Sequence, residues 1–257
     1  MTAGKETHEL QLPVSYTWLS RMTALRVLLY DSSVAHRGKF ITFEGLDGCG
    51  KSTQLEKLAA ALRDRGILPV VTREPGGTSM GEEIRRLLLH TGTSGLAPQA
   101  ELALMFASRA QHIKEVIEPA LSAGHTVLCD RFTDSTEAYQ GGGRKLGSAP
   151  VLEMHRIVCG NLQPDLTILM DSDVAASVER ARRRNKSQAA QNGKQDENRF
   201  EQESRAFFGR VRSAYLAIAA REPERVVLID ARGTVDETHR AILETVRHKL
   251  KLAAKSA

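Results

Sequence analysis

Gly45-Leu46-Asp47-Gly48-Cys49-Gly50-Lys51-Ser52 has the spacing G-x-x-x-x-G-K-[ST] in full, with Thr53 directly after it. Glycines at these places let the backbone turn tightly, so that successive N–H groups and a helix N-terminus converge on an anion. The chemistry is polyphosphate binding: Lys51 reaches the β- and γ-phosphates, and the Ser52 hydroxyl coordinates Mg2+. Asp47 inside the loop does not serve phosphate affinity, since a carboxylate beside a polyphosphate is repelled. It either faces a second substrate or is a solvated turn residue. Cys49 is open to two readings, a small filler near the phosphates or a thiol whose oxidation would stop activity.

A second anion site is suggested by Asp130-Arg131-Phe132, which ends an apolar run, and by Arg73 in Thr72-Arg73-Glu74-Pro75-Gly76-Gly77-Thr78, which ends another. Both arginines then stand at carboxyl ends of parallel strands, where ligands bind in open α/β sheets. A guanidinium offers phosphate a bidentate fork, and Asp130 suits Mg2+. Met105, Phe106 and Arg109 lie within about one helical turn, so an apolar face and a guanidinium could clamp a base and its phosphate, although a core role is the commoner one for such a Phe. Arg180, Arg182, Arg183, Arg184 and Lys186 form a basic helical run, and Arg199 precedes Phe200-Glu201. Taken alone, such a run is a solvated face.

These residues need a scaffold, and the hydropathy pattern supplies one. Short apolar runs at 39–44, 68–72, 126–130, 166–171 and 226–230 predict five strands, each apolar enough for burial on both faces. Apolar spacings of three and four over 51–65, 100–123, 201–220 and 235–250 predict helices between them. The alternation is that of an α/β fold of P-loop type, a three-layer arrangement with a five-stranded parallel sheet flanked by helices. Residues 1–37 lack this regularity and are expected to be a poorly ordered N-terminal extension to a domain spanning 38–257, with Met22 as a candidate start.

The chain has 257 residues, with 36 Lys+Arg against 31 Asp+Glu, a net charge of +5 that favours an anionic partner. No apolar run reaches the roughly 18 residues of a membrane span, so no membrane partner is expected. Three cysteines, Cys49, Cys129 and Cys159, form no CxxC, which argues against a disulfide framework or zinc site and for a reducing cytoplasm. A nucleic-acid partner would want aromatic residues interleaved among the arginines, and these are lacking.

The segments 43–53, 72–78, Asp130-Arg131-Phe132, Ser135-Thr136-Glu137-Ala138-Tyr139-Gln140-Gly141-Gly142-Gly143 and Pro164-Asp165-Leu166-Thr167, in this order, closely resemble the bacterial thymidylate kinases over about residues 39–250. The resemblance implies transfer of the γ-phosphoryl group of ATP to dTMP with Mg2+, on a homodimer. It implies that Asp47 contacts the 3′-hydroxyl side of dTMP and that Arg73, Arg109 and Arg131 surround its phosphate, with Pro75 alongside. Ser135, Thr136 and Gln140 would read the thymine edge or sugar, and Tyr139 would crowd the 2′ position. Phe106 is the expected base-stacking residue, although many members carry that Phe four residues before the helix arginine, where this chain has Met105. Some members hold a transition-state arginine in the phosphate loop; Gly48 and Cys49 stand there here, so the short lid that the resemblance implies at about 180–199 is expected to supply it. Arg184 and Arg199 are the candidates, with Arg180 nearer the adenine and an insertion over about 188–196. The rivals are a kinase for another nucleoside monophosphate or nucleoside, and a P-loop NTPase switch with no acceptor. A guanine-specific switch would want an N-K-x-D segment, which the chain does not offer.

Overall fold

The run Phe40-Ile41-Thr42-Phe43-Glu44-Gly45 forms strand β1 (Phe40–Gly45), buried along its whole length at the centre of the sheet. The computed structural model describes residues 37–90, 92, 95–192 and 199–250. The other strands are β2 (Val70–Arg73), β3 (Val127–Asp130), β4 (Leu166–Asp171) and β5 (Val226–Asp230). They lie in the order β2-β3-β1-β4-β5, with every neighbouring pair parallel. Parallel neighbours need crossover connections, and the intervening helices provide them. They are α1 (Lys51–Arg63), α2 (Ser79–Leu89), α3 (Pro98–His112), α4 (Glu118–Ser122), α5 (Thr133–Thr136), α6 (Ser148–Val158), α7 (Val174–Asn192), α8 (Arg205–Arg221) and α9 (Val235–Lys249).

Alternation along the strands sorts side chains into two layers. Ile41 and Phe43 of β1 and Ile168 and Met170 of β4 pack with Leu55, Leu58 and Leu62 of α1 and Ile242 and Val246 of α9. On the other side, Phe40, Val127 and Cys129 meet Phe106 of α3 and Phe132, while Leu169 and Val226 meet Tyr215 and Ile218 of α8. Thr42 and Thr167 share a buried hydroxyl–hydroxyl bond of 2.8 Å between β1 and β4, which satisfies both polar groups in the core.

The edge strands depart from the expectation of burial on both faces. Leu68 is 69% exposed and precedes β2, Val71 within it is 44% exposed, and Leu228 of β5 is 47% exposed. A strand at the rim has a layer of helices over only part of each face. The helix expected over 100–123 is one helical segment, made of α3, a π-helical turn at Ile113–Ile117, and α4. Helices α2 and α6 were not expected; α2 starts at Thr78, whose side chain accepts the Gly81 N–H at 3.0 Å. Of the extension expected over 1–37, residues 1–36 lie outside the described residues, and Arg37 pairs with Asp165 at 2.9 Å. Among the described residues no helix is long and apolar enough to cross a membrane.

Candidate active site

The carboxyl ends of β1, β2 and β3 open onto a crevice of about 930 Å³. The phosphate loop forms its floor. Gly45, at φ 134°, ends β1 where a Cβ would come 2.5 Å from the Met170 carbonyl oxygen. Gly48, at φ 77°, lies against α7 so closely that a Cβ would stand 2.2 Å from the Ser177 carbonyl oxygen and 2.9 Å from the Ala181 nitrogen. No side chain fits there, so the loop itself cannot carry an arginine at that position. Leu46 and Cys49 turn into the core, which leaves only their backbone to face a phosphate and makes Cys49 a filler. Lys51 curls over the loop, donating to the carbonyl oxygens of Leu46 at 2.9 Å and Gly45 at 3.2 Å. Helix α1 begins behind Gly50 with no side-chain cap, so its first N–H groups are open to an anion.

Arg131 stands at φ 74°, a left-handed conformation that non-glycine residues rarely adopt. Two flanking bonds hold it: its own N–H donates to the Phe43 carbonyl at 2.9 Å, and the next N–H, of Phe132, donates to Glu44 Oε1 at 2.7 Å. The strained backbone aims the guanidinium into the crevice. There it donates to Asp47 Oδ1 at 2.7 Å, Ser135 Oγ at 2.9 Å and the Gly45 carbonyl at 3.1 Å. Tyr139 donates to Asp47 Oδ2 at 3.0 Å. Asp47 is therefore no solvated turn residue. Burial alone would raise its pKa, but the charges of Arg131 and Lys51 and the bonds from Arg131 and Tyr139 overcome that and hold the carboxyl well below the usual range.

The three arginines expected around a phosphate each carry a carboxylate partner that the sequence did not signal. Arg73 pairs with Glu82 at 2.9 Å, Arg131 with Asp47 at 2.7 Å, and Arg109 with Glu74 at 2.7 Å, the last with both side chains only 3% exposed. Glu74 also accepts from His112 Nδ1 at 2.9 Å, and Arg109 further donates to Thr136 Oγ1 at 2.9 Å. Such pairs fix direction more than they supply net charge.

Of the other expected residues, Ser52, Thr53, Pro75, Asp130, Thr136, Gln140 and Arg184 also line the crevice. Phe106, Arg180 and Arg199 do not. Phe106 is fully buried in the core with Phe40 and Phe132, and the crevice wall at that turn is Met105. Successive helical residues point about 100° apart, so a shift of one residue separates core from cleft. Arg199 is 6% exposed, and its guanidinium is spent on Glu101 Oε2 and the Leu88 carbonyl, both at 2.7 Å. It does not line the crevice, and the geometry therefore favours another arginine for the transition state. Arg180 donates to the Gly48 carbonyl at 2.8 Å, beside the phosphate loop. Of the expected insertion, residues 188–192 continue the backbone of α7 and the remainder lies outside the described residues. Reasoning from sequence missed Glu82, Arg85, Arg86, Leu89, Asn185, Phe200 and Glu201 as crevice residues, and no spacing in the sequence marked them.

Glu44 beneath this site is fully buried and accepts from Phe132 N, from Ser135 Oγ and from Tyr215 OH at 3.0 Å. Burial, helped by the Asp134 carboxylate, pushes its pKa up to about 7. A carboxyl raised from 4.5 to about 7 stabilises the folded chain fully below the lower value and ceases to do so as the pH rises through the upper one. His155 acts oppositely over much of this range, because burial drives its pKa down to about 4. Comparing Glu44→Gln with the wild type isolates the first effect. Relative to the wild type, the variant should gain stability between about pH 5 and pH 8, measured as urea midpoints. Parallel pH profiles would contradict the titration.

The comparisons with known proteins agree with this geometry. A thymidylate kinase family model matches residues 43–242. The thymidylate kinase of Geobacter sulfurreducens is 46% identical over 213 residues, covering 83% of this chain and 98% of that one. That of Desulfovibrio desulfuricans is 52% identical over 192 residues, covering 75% and 87%. The crystal structure of thymidylate kinase from Ehrlichia chaffeensis superposes with a TM-score of 0.65 at 30% identity, covering 82% of this chain and 99% of that one. A family model over most of the chain, a similar fold and this breadth of identity have one reading: the chain belongs to the thymidylate kinase family of phosphotransferases.

Proposed function

We propose that this crevice passes the γ-phosphoryl group of ATP to dTMP, giving dTDP, with Mg2+ as the metal. One observation carries the reading. Of the six buried side-chain polar atoms left without a hydrogen-bond partner among the described residues, three belong to crevice residues: Arg109 Nη1, Asp130 Oδ1 and Gln140 Oε1. Buried polar groups are normally paired, and an orphan is expensive unless a ligand completes it. The three differ in kind. A guanidinium N–H asks for an acceptor such as an oxygen of dTMP, an amide oxygen asks for a donor such as the thymine N3–H, and a carboxylate oxygen asks for a cation.

Asp130 and Ser52 suit Mg2+. Their side chains bond at 2.9 Å through Asp130 Oδ2, leaving Oδ1 over. Among the described residues no group of three or more His, Cys, Asp or Glu side chains could hold a metal alone. One carboxylate and one hydroxyl match a cation that keeps its waters and is completed by substrate phosphates. Mg2+, when bound, neutralises polyphosphate charge.

Lys51 and the open N–H groups of α1 hold the donor phosphates. Arg131, pre-set by Asp47 and Ser135, turns the acceptor phosphate toward them. That phosphate is already anionic at neutral pH and needs orientation rather than a general base. Arg184, exposed on α7 and lining the crevice, makes no hydrogen bond with a described residue, although the Glu201 carboxylate is near enough to attract it, and is the arginine placed to follow the moving phosphoryl group. We also propose a homodimer, supported by Met80 and Leu87, one heptad apart on α2 and 57% and 54% exposed. The three free and buried cysteines accord with a cytoplasmic setting.

The test is ADP release, coupled to NADH oxidation, with ATP, Mg2+ and in turn dTMP, dUMP, dCMP, dGMP and thymidine. dTMP should give the highest kcat/KM, and Lys51→Ala should abolish turnover while the protein remains folded. Absence of dTMP-dependent ADP release from folded wild-type protein would overturn the proposal.

A further inference from the structure

Glu101, in the first turn of α3, has no part in phosphate or metal binding, yet it is the most heavily hydrogen-bonded carboxylate around the crevice. It is fully buried. Oε1 accepts from Gln140 Nε2 at 2.8 Å and Arg144 Nε at 3.1 Å, and Oε2 accepts from Arg199 Nη2 at 2.7 Å and Arg144 Nη2 at 3.2 Å. One carboxylate therefore joins the side chain that faces the base to the segment returning from the lid.

The second arm can be followed to the chemistry. Arg199 is fixed at three points: Glu101, the Leu88 carbonyl, and its own N–H donating to the Leu89 carbonyl at 3.2 Å. Two residues on, the Glu201 carbonyl accepts from Arg182 at 2.8 Å, and Glu201 Oε1 accepts from Asn185 at 2.9 Å. Those two α7 residues stand on either side of Arg184 in sequence, so the anchor at 199–201 decides where Arg184 is presented. The first arm is shorter. With Nε2 committed to Glu101, the amide of Gln140 has one orientation, and its unpaired Oε1 is left as the acceptor. A carboxylate accepts on both oxygens without choice of orientation, which no neutral side chain of this size can do for four donors.

We infer that Glu101 is a positioning residue that sets base reading by Gln140 and presentation of Arg184 from a single buried carboxylate. This rests on the assignment of Gln140 to the thymine edge and of Arg184 to the transferred phosphoryl group. It goes beyond that assignment, because Glu101 touches neither substrate.

The test is Glu101→Gln, which keeps the shape and removes two-sided acceptance, measured alone and combined with Gln140→Ala and Arg184→Ala. Alone it should raise KM for dTMP about tenfold and lower kcat about tenfold. With Gln140→Ala the KM effect should vanish while the kcat effect persists; with Arg184→Ala the kcat effect should vanish while the KM effect persists. Such non-additivity marks action through the second residue. A carboxylate that only stabilises the fold would lower activity by the same factor in every background, and that pattern overturns the inference. Should Glu101→Gln fail to fold, Arg199→Lys, which keeps the charge and loses the fork, is put through the Arg184→Ala comparison and should show the same lost kcat effect; full multiplication there is equally fatal. If Gln140→Ala alone leaves KM for dTMP unchanged, the base-reading assignment falls and takes the inference with it. A normal Gln140→Ala effect with multiplicative Glu101→Gln defeats the inference alone.

Discussion

Replacing Arg184 with alanine should lower kcat by about 10³ while changing KM for dTMP by no more than about threefold. Phosphoryl transfer gains most from positive charge that meets the moving group in the transition state, and such an arginine contributes little to ground-state binding. Other arginines of the lid and crevice have partners. Arg180 is bonded to the Gly48 carbonyl, Arg182 to the Glu201 carbonyl, Arg85 to the Pro75 carbonyl and Arg199 to Glu101, Arg86 pairs with Glu83, and Arg183 makes only an exposed ion pair with Glu179 at 4.0 Å. The phosphate loop cannot substitute, because Gly48 has the α7 backbone where a side chain would go. Arg199→Ala should behave differently. It leaves Glu101 buried with only Arg144 to balance it, so its first effect is on stability, a loss of about 3 kcal/mol by urea unfolding. Steady-state kinetics on both variants decide the matter: equal kcat losses, or a larger one for Arg199→Ala, would return the transition-state role to Arg199.

Arg131→Ala should lower kcat/KM for dTMP by about 10³, and Arg131→Lys should recover little of it. Two charge-assisted bonds to a phosphate are together worth about 3–5 kcal/mol, which already spans that factor. A second loss accompanies it. Arg131 Nη1 and Nη2 tie together Asp47, Ser135, the Gly45 carbonyl and, at 3.2 Å, the Tyr215 hydroxyl, so its removal loosens both the phosphate loop and the sugar side of the site. A lysine has a single ammonium and no planar fork, so it cannot reach these partners at once. Asp47 reports on the same contact. Without Arg131 its carboxyl pKa should rise, because burial raises it and the charge and hydrogen bond of Arg131 are lost, while Lys51 and Tyr139 still hold it down. A wild-type-like kcat/KM in Arg131→Lys would show that charge alone suffices.

How far the sequence reached depends on the kind of contact. β4 lies over the residues expected from its apolar run, since a strand flanked by neighbours reads as a continuous hydrophobic stretch, and the edge strand β5 also lies where expected although its Leu228 is exposed. The phosphate loop was legible because its glycines, lysine and hydroxyl act through local backbone geometry. β2 starts two residues later than expected, because the exposed Leu68 looked like core to a rule that sees only composition. Met105 and Phe106 could not be told apart, since both are apolar and only the rotation of α3 against the sheet decides which meets the cleft. The carboxylate partners were invisible for another reason. Glu74 with Arg109, Asp47 with Arg131 and Glu101 with Arg199 join segments 35, 84 and 98 residues apart, and nothing in one segment announces the other. Arg73, Arg109, Arg131 and Arg199 were thus legible as charges but not as charges the fold pairs with carboxylates.

The most direct measurement of the central claim is a crystal structure with dTMP, a non-hydrolysable ATP analogue and Mg2+. Each of the three orphaned atoms should then be met: Arg109 Nη1 by an oxygen of dTMP, Gln140 Oε1 by the thymine N3–H, and Asp130 Oδ1 by the cation or one of its waters, with Arg184 turned to the γ-phosphate. A structure in which dTMP is seated while these atoms stay unpaired, or in which Arg184 remains in solvent and another arginine meets the γ-phosphate, would contradict the account.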